Sequence, residues 1–442
     1  MPSSAPIPSG PASTLLALAL GLGLTPHATN AQEAEAFSPT TTVQVEVNAV
    51  TGALTYDGEA VDRESNTAVG APLLNAWTVN QESRLTIDTS VTGQDLFRVR
   101  LRSGNFGSSG FFSNPPTPLT RLDVAFQQPI CPSAQERCGN QVSVNRLFLQ
   151  VPLGSSLRVT AGSRLMQLDL LPVWPSAYTP TLELFQRAGA AGAYSRRVGS
   201  GFGAWWQPGG ALKGLSLAYG YVAPSGAEGA PARGGWYTAG GDDTNTVQLA
   251  YTRPSWNLTA AWTRNGQRAL LRGTPLASQL AAEARGGAVQ SWSLAGYWQP
   301  LMAGWIPAIS AGWGEDRWAF TTYPVAGLTG VRTTSWSVGL SWSEAFGPGN
   351  SVSLALGAPA HVTGLRGLGD PSVNDSGLAL EMATRFQLSD AFSITPALFW
   401  LTRPRGAMGG TTSLQQALGP EGRADDTSLG VWGALVRGSL RF

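Results

Sequence analysis

The sequence predicts an all-β fold: a transmembrane, antiparallel, up-and-down β-barrel of about 16 strands, with short periplasmic turns and long outer loops. Three observations predict it. Apolar and polar side chains alternate with a period of two in segment after segment past residue 40. The connections between those segments alternate between short and long. The chain ends on an alternating segment closed by an aromatic residue, "VWGALVRGSLRF".

Successive side chains of a strand point to opposite faces, so strict alternation means a half-buried strand and not a helix. "TVQVEVNAV" sets Val43, Val45 and Val47 against Gln44, Glu46 and Asn48. "SWNLTAAWT" places Trp256, Leu258, Ala260 and Trp262 on one side, and "SWSVGLSWS" does the same with Trp336, Val338, Leu340 and Trp342. "LALEMATRFQL" sets Leu380, Met382, Phe386 and Leu388 against Glu381, Arg385 and Gln387.

Short connections fall at 153–156, 207–212, 253–255, 299–304, 344–350 and 388–391. Long ones fall at 164–191, 224–242, 265–287, 316–332, 359–375 and 403–426. Tight turns on one side and long loops on the other are the rhythm of an outer-membrane barrel. Keeping that parity requires residues 104–141 to form a single outer loop, with "TRLDVAF" (120–126) inside it. Strands are then expected to begin near 43, 82, 96, 142, 156, 192, 213, 243, 256, 288, 304, 333, 350, 376, 391 and 427.

Composition agrees. Of 442 residues, 43% are hydrophobic and 13% charged, with a formal net charge of +1. Soluble domains carry roughly a quarter charged residues, so surface charge is scarce. Beyond a short N-terminal stretch, no apolar run approaches the ~20 residues of a spanning helix. The balanced charge argues against a nucleic-acid partner.

Residues 1–31 read as an export signal, with the apolar core "LLALALGLGL" (Leu15 to Leu24) and a small-residue cleavage site ending at Ala31. No Lys or Arg precedes that core. Residues 32–42 form a short N-terminal segment and 43–442 the barrel. Export places Cys131 and Cys138, in "CPSAQERCG", in an oxidising compartment, where so close a pair is expected to form a disulfide. No metal centre and no cofactor are expected.

"QDLFRVRLRSGNF" (Gln94 to Phe106) places Arg98, Arg100 and Arg102 on one strand face and Phe97, Val99 and Leu101 on the other. An Arg on the lipid face costs about 2–4 kcal/mol at mid-depth, so the arginines are expected to face the lumen. Setting Val91 opposite Phe97 puts Asp88 beside Arg100, Ser90 beside Arg98 and Thr86 beside Arg102. The same parity makes Glu46, Arg385, Arg437 and Arg441 candidate pore-lining residues. Whether such arginines select the solute or only solvate the wall stays open. In the last strand Phe442, Leu440, Val436, Ala434 and Trp432 share the apolar face. Phe442, Leu440 and Val436 resemble the terminal signal read by outer-membrane assembly machinery.

Several segments, in order, resemble the cyanobacterial outer-membrane porins grouped with the carbohydrate-selective porin family, many of them described as iron-uptake porins. They are "FSPTTTVQVEVNAVTGAL", "SRLTIDTSVTGQDLFRVRLRSGNF", "VNRLFLQVPLGSSLRVTAG", "GLSLAYGYVA", "SWSVGLSWSEAF", "LALEMATRFQLSDAFSITPALFWLTRPRG" and "DDTSLGVWGALVRGSLRF". The similarity spans nearly all of residues 37–442. It implies a homotrimeric diffusion channel of about 16 strands in the outer-membrane lipid. The S-layer homology domain usual in that family does not precede the barrel here, so wall anchoring is not carried over.

On this reading, loops 104–141 and 164–191 are candidates to fold inward and set the constriction, with ordinary surface loops as the alternative. Inorganic ions including iron are the first expected solutes, because most tryptophans fall in the apolar register and not along the path. Sugars are the alternative. A barrel hydrolase is a remote third reading: acid–base chemistry of that kind usually uses His, and past the signal only His361 remains. No enzyme is expected.

Overall fold

The computed structural model describes residues 40–442, apart from 59–60, 63–66, 69–75, 113–116, 129–138, 191, 239, 267–272, 284–287, 323, 369–372, 410–412 and 419–428. The export signal and the Cys131/Cys138 pair lie outside the described residues.

Sixteen strands close into one antiparallel barrel in which every strand pairs with its sequence neighbours and the last pairs with the first. They are β1 (Thr42–Asp57), β2 (Thr78–Thr89), β3 (Leu96–Gly104), β4 (Ser143–Leu153), β5 (Leu157–Met166), β6 (Val198–Trp206), β7 (Leu215–Ala223) and β8 (Thr244–Arg253). Then come β9 (Trp256–Asn265), β10 (Val289–Trp298), β11 (Ala308–Ala319), β12 (Gly330–Ser343), β13 (Ser351–Arg366), β14 (Ala379–Gln387), β15 (Phe392–Thr402) and β16 (Gly430–Arg441). Closure leaves no unpaired edge, so backbone donors and acceptors are satisfied within the wall, as a hydrocarbon surround demands. The main chain of Phe442 exchanges two bonds with Val45: the Val45 N–H donates at 2.7 Å and the Phe442 N–H at 3.1 Å. Phe442, Leu440 and Val436 are exposed on the outer face.

Three strand starts move by four residues or more, among them that of β11, at Ala308 and not near 304. β6 begins at Val198 and not near 192. The intervening "GAYSRR" belongs to the preceding loop, where Tyr194 is fully buried and Arg196 takes a left-handed backbone (φ 54°) that no strand accepts. β2 begins at Thr78, earlier than expected, because Asn80 and Glu82 are buried polar residues on the inner face.

The inner and outer faces are distinguished by what covers them. Outward positions carry the exposed apolar side chains, among them Leu217, Leu249, Leu258, Leu294, Trp313, Val338 and Met382. Inward positions of the same strands carry Ser216, Gln248, Asn257, Ser293, Ser310, Ser337 and Glu381, all buried. What buries them is the loop 167–197 folded into the lumen, where the described residues of 105–142 join it. The main apolar cluster therefore lies inside the barrel. Phe106, Phe111, Leu122, Leu182 and Phe185 of the two loops pack on Val50, Leu54, Phe399, Leu401, Val431 and Leu435 of the wall. A second cluster gathers the helix α1 (Pro275–Ala282) and the outer ends of β12 and β13.

Candidate channel constriction

The arginine-bearing wall is built by the turn that precedes it. Asp95 accepts bonds from the Ser90 hydroxyl (2.7 Å), the Thr92 amide (2.7 Å) and the Thr92 hydroxyl (2.5 Å). These donors hold its carboxyl well below the usual carboxylate range, the Thr92 hydroxyl most of all. Gly93 at the tip takes φ 80°, which a side chain would disfavour. The capped loop spans 90–95 and corrects the expected register by two residues. Thr89 pairs with Phe97, Asp88 with Arg98, Thr86 with Arg100 and Arg84 with Arg102. Inward and outward faces are unchanged, because a shift of two preserves parity.

The three arginines consequently have different partners. Arg98 makes a two-pronged pair with Asp88, Nε to Oδ1 at 2.7 Å and the second nitrogen to Oδ2 at 2.6 Å. Arg100 donates to the Thr86 hydroxyl at 3.0 Å and has Arg98, Arg84, Asp169 and Asp88 as charged neighbours. Arg102 is not a water-facing residue. It is 7% exposed, donates to Glu82 at 2.5 Å and to the Val124 carbonyl at 3.3 Å, and lies 4.2 Å from the Phe126 ring. The loop 105–142 sits directly on it, so Arg102 ties loop to wall. Glu82, also bonded by Arg84 at 2.5 Å and Asn48 at 3.1 Å, is the fully buried hub of that contact. Glu82 is not among the residues the sequence singles out, because alternation does not tell a buried carboxylate from a wet one.

The two loops join in the lumen. Leu122 and Leu182 form an antiparallel bridge, the Asp123 N–H donates to the Thr181 carbonyl, and the Glu183 N–H to the Arg121 carbonyl. Ion pairs Arg121–Glu183 (2.8 Å) and Arg196–Asp123 (3.6 Å) reinforce the seam. From there 167–197 crosses to the opposite wall. Glu381 on β14 is the main staple: it accepts from the Tyr178 hydroxyl (2.9 Å), the Thr181 N–H (3.0 Å) and the Leu182 N–H (2.7 Å). Gln248 donates to the Val173 carbonyl, Asn257 to the Trp174 carbonyl, Thr263 to the Ala193 carbonyl and Asn265 to the Gly192 carbonyl. Gly339 makes room, since a Cβ there would sit 2.6 Å from the Tyr178 ring.

What the loops leave open is a cleft lined by Glu46, Arg84, Asp123, Thr179, Arg385, Asp390, Thr395, Arg437 and Arg441. Glu46 is shared between Arg84 and Arg441, each at 3.5 Å. Arg385 bonds Gln387. Among the described residues, Arg100, Arg385, Arg437 and Asp390 have no opposite charge within ion-pair distance, whereas Glu46, Glu82, Asp88 and Asp123 each have an arginine.

A closed barrel of this strand number, narrowed from within by its own loops, defines a porin of the outer membrane. Residues 15–431 match the family described as the carbohydrate-selective porin, OprB family, and the chain belongs to it. An uncharacterized protein of Synechocystis sp. is 28% identical over 346 residues, covering 72% of this chain and 58% of that protein's length. The high-pH structure of Pseudomonas putida OprB aligns over 93% of this chain and 96% of its own, with a TM-score of 0.56 and 12% identity. The anion-selective porin of Comamonas acidovorans aligns over 91% of this chain and all of its own, with a TM-score of 0.53 and 11% identity. These two similarities concern the fold alone.

Proposed function

We propose that the chain forms a water-filled, non-enzymatic channel for passive diffusion of small hydrophilic solutes. In this reading its constriction favours neutral and negatively charged solutes, sugars foremost, over free cations. The observation that carries the reading is the surplus of guanidinium charge around the open path. Arg385 and Arg437 in the cleft and Arg100 on the adjoining wall lack carboxylate partners, and the cleft's four arginines outnumber its three acids, Glu46, Asp123 and Asp390. Surplus positive charge in a low-dielectric cleft raises the local concentration of anions and lowers that of cations.

The family description supports sugars as the solute class, and arginine forks suit sugar hydroxyls and acidic sugars as donors. Inorganic anions remain within the reading. Iron would pass as a neutral or anionic complex, because an aquo cation meets an opposing field. The loops 105–142 and 167–197 set the constriction. The working form is a homotrimer, which the outward faces of β1 to β3 suit. They carry the small Ala49, Thr51, Ala53, Ser83 and Ser103, with the exposed Trp77 indole bonded to Thr51 and the exposed Val79 beside them. Phe442, Leu440 and Val436 serve as the assembly signal.

Liposome swelling tests the solute class. Neutral and acidic monosaccharides should enter faster than an amino sugar of equal size. Fastest entry of the cationic sugar, or no swelling at all, would overturn the reading.

A further inference from the structure

The outer surface carries a second basic feature that no channel function uses. Arg317 on β11, Arg332 on β12 and Arg366 at the end of β13 all project outward and are exposed. Arg317 and Arg332 are direct cross-strand partners, and Arg366 pairs with Gly330, two residues before Arg332. With Gln290 of β10 they line one groove, whose floor is kept low by Gly330 and Gly364. The Arg332 guanidinium lies over Gly364, where an added Cβ would come within 3.5 Å of its Nε.

Charge in the groove is only partly answered. Glu315 pairs with Arg317, whose guanidinium also sits 5.6 Å from the Trp292 ring centre. Among the described residues, Arg332 and Arg366 have no acidic partner within ion-pair distance. Gln290 accepts from the Trp262 indole at 3.0 Å through its carbonyl oxygen, which keeps its amide nitrogen as a donor.

The position defines the occupant. These residues lie where the strands run into the long loops 320–329 and 367–378. Going down the same outward face, Arg317 is followed by Trp313 and Ile309, and Arg332 by Trp336, Val338 and Leu340. Cation, then aromatic, then aliphatic is the order of headgroup, interface and acyl chain. Outward arginines are tolerated near the interface, where their cost falls to about 0–1 kcal/mol, and guanidinium forks match tetrahedral oxyanions. The exposed apolar side chains beneath suit acyl chains.

We propose that Arg332 and Arg366, assisted by Arg317 and Gln290, seat the phosphate or sulfonate headgroup of an anionic lipid in the outer leaflet. The site is independent of the solute the channel passes. Native mass spectrometry of the full-length protein in neutral detergent tests it, with phosphatidylglycerol as probe, neutral monogalactosyldiacylglycerol as control and inorganic phosphate as competitor. Wild-type protein should retain phosphatidylglycerol, and the R332Q/R366Q variant should retain it at least about tenfold less. The galactolipid should bind both weakly and equally. R332K/R366K, which keeps charge without the fork, should fall between them. Heat-shifted electrophoretic mobility establishes that each variant is folded, and conductance should be unchanged because the residues face away from the lumen. Equal phosphatidylglycerol retention by wild type and R332Q/R366Q would overturn the proposal. So would displacement of the lipid by inorganic phosphate at matching concentration, which would make the groove a free-anion site.

Discussion

Two walls of this barrel face the same lumen and are built from different chemistry. On β1 to β3 the inward acids Glu46, Glu82 and Asp88 are each held by arginine. On β8 to β12 the inward side chains are mostly neutral and small: Thr246, Gln248, Asn257, Thr259, Thr263, Asn265, Ser291, Ser310 and Thr333, all buried. The acids on that side are held by neutral donors. Asp316 accepts from the Thr333 hydroxyl at 2.9 Å, and neighbouring Glu381 on β14 accepts from one hydroxyl and two amides. The difference teaches what each wall does. Neutral groups can be dried out by a loop once hydrogen-bonded, whereas unpaired charge cannot. The neutral wall is a dock for 167–197, and the charged wall borders the path left open.

Removing the dock should have the largest effect. Glu381→Ala would strand the Tyr178 hydroxyl and two amides, at roughly 1–3 kcal/mol for each unsatisfied group. The loop should detach, with higher single-channel conductance and new protease cleavage within 167–197. Unchanged conductance and cleavage would remove Glu381 as a staple. Next comes the seam between the loops. Leu182 is fully buried, so Leu182→Ala should cost about 2–5 kcal/mol, read as a lower temperature for loss of the heat-resistant barrel band.

The outer loops extend the neutral pattern. Asp375 is buried and accepts from the Thr274 hydroxyl (2.6 Å), the Val362 N–H (2.8 Å) and the Ala407 N–H (2.9 Å). Burial pushes its carboxyl up from 3.8 to about 6, against the pull of those donors. The folded state thus holds the proton more tightly than the unfolded one. Loop packing should be firmest below about pH 4 and weaken by about 2–3 kcal/mol as pH rises through about 6. Hydrogen exchange of the loops against pH measures this, and Asp375→Asn should flatten the profile. The smallest stability effect belongs to the charged wall. Asp88 and Arg98 are each 26% exposed, so Asp88→Asn should cost under about 1 kcal/mol. It should nevertheless raise anion preference in bilayer recordings. A large stability loss with unaltered selectivity would reverse the roles assigned to the two walls.

Much of the fold was legible because membrane barrels impose parity on every strand. Loop parity placed "TRLDVAF" inside a loop, and the structure has it there, between β3 and β4. The turn register was not legible, because it depends on the Asp95 side chain bonding across 90–95, which alternation does not encode. Nor was the dock, since at an inward position a buried Gln248 and a wet one look alike. One signal was available. "PALFWLT" is apolar on both faces, with Leu398 and Trp400 outward and Phe399 and Leu401 buried inward. Apolar residues at inward positions, as at Val50, Leu54, Val431 and Leu435, mark where loops pack inside the barrel.

The central claim, that unpartnered arginines set the field of the open path, is tested most directly by the reversal potential in a planar bilayer under a salt gradient. Wild-type channels should prefer anions, and the Arg100→Gln, Arg385→Gln, Arg437→Gln triple variant should lose that preference while still conducting. A cation-preferring wild type, or a triple variant with an unchanged reversal potential, would contradict it.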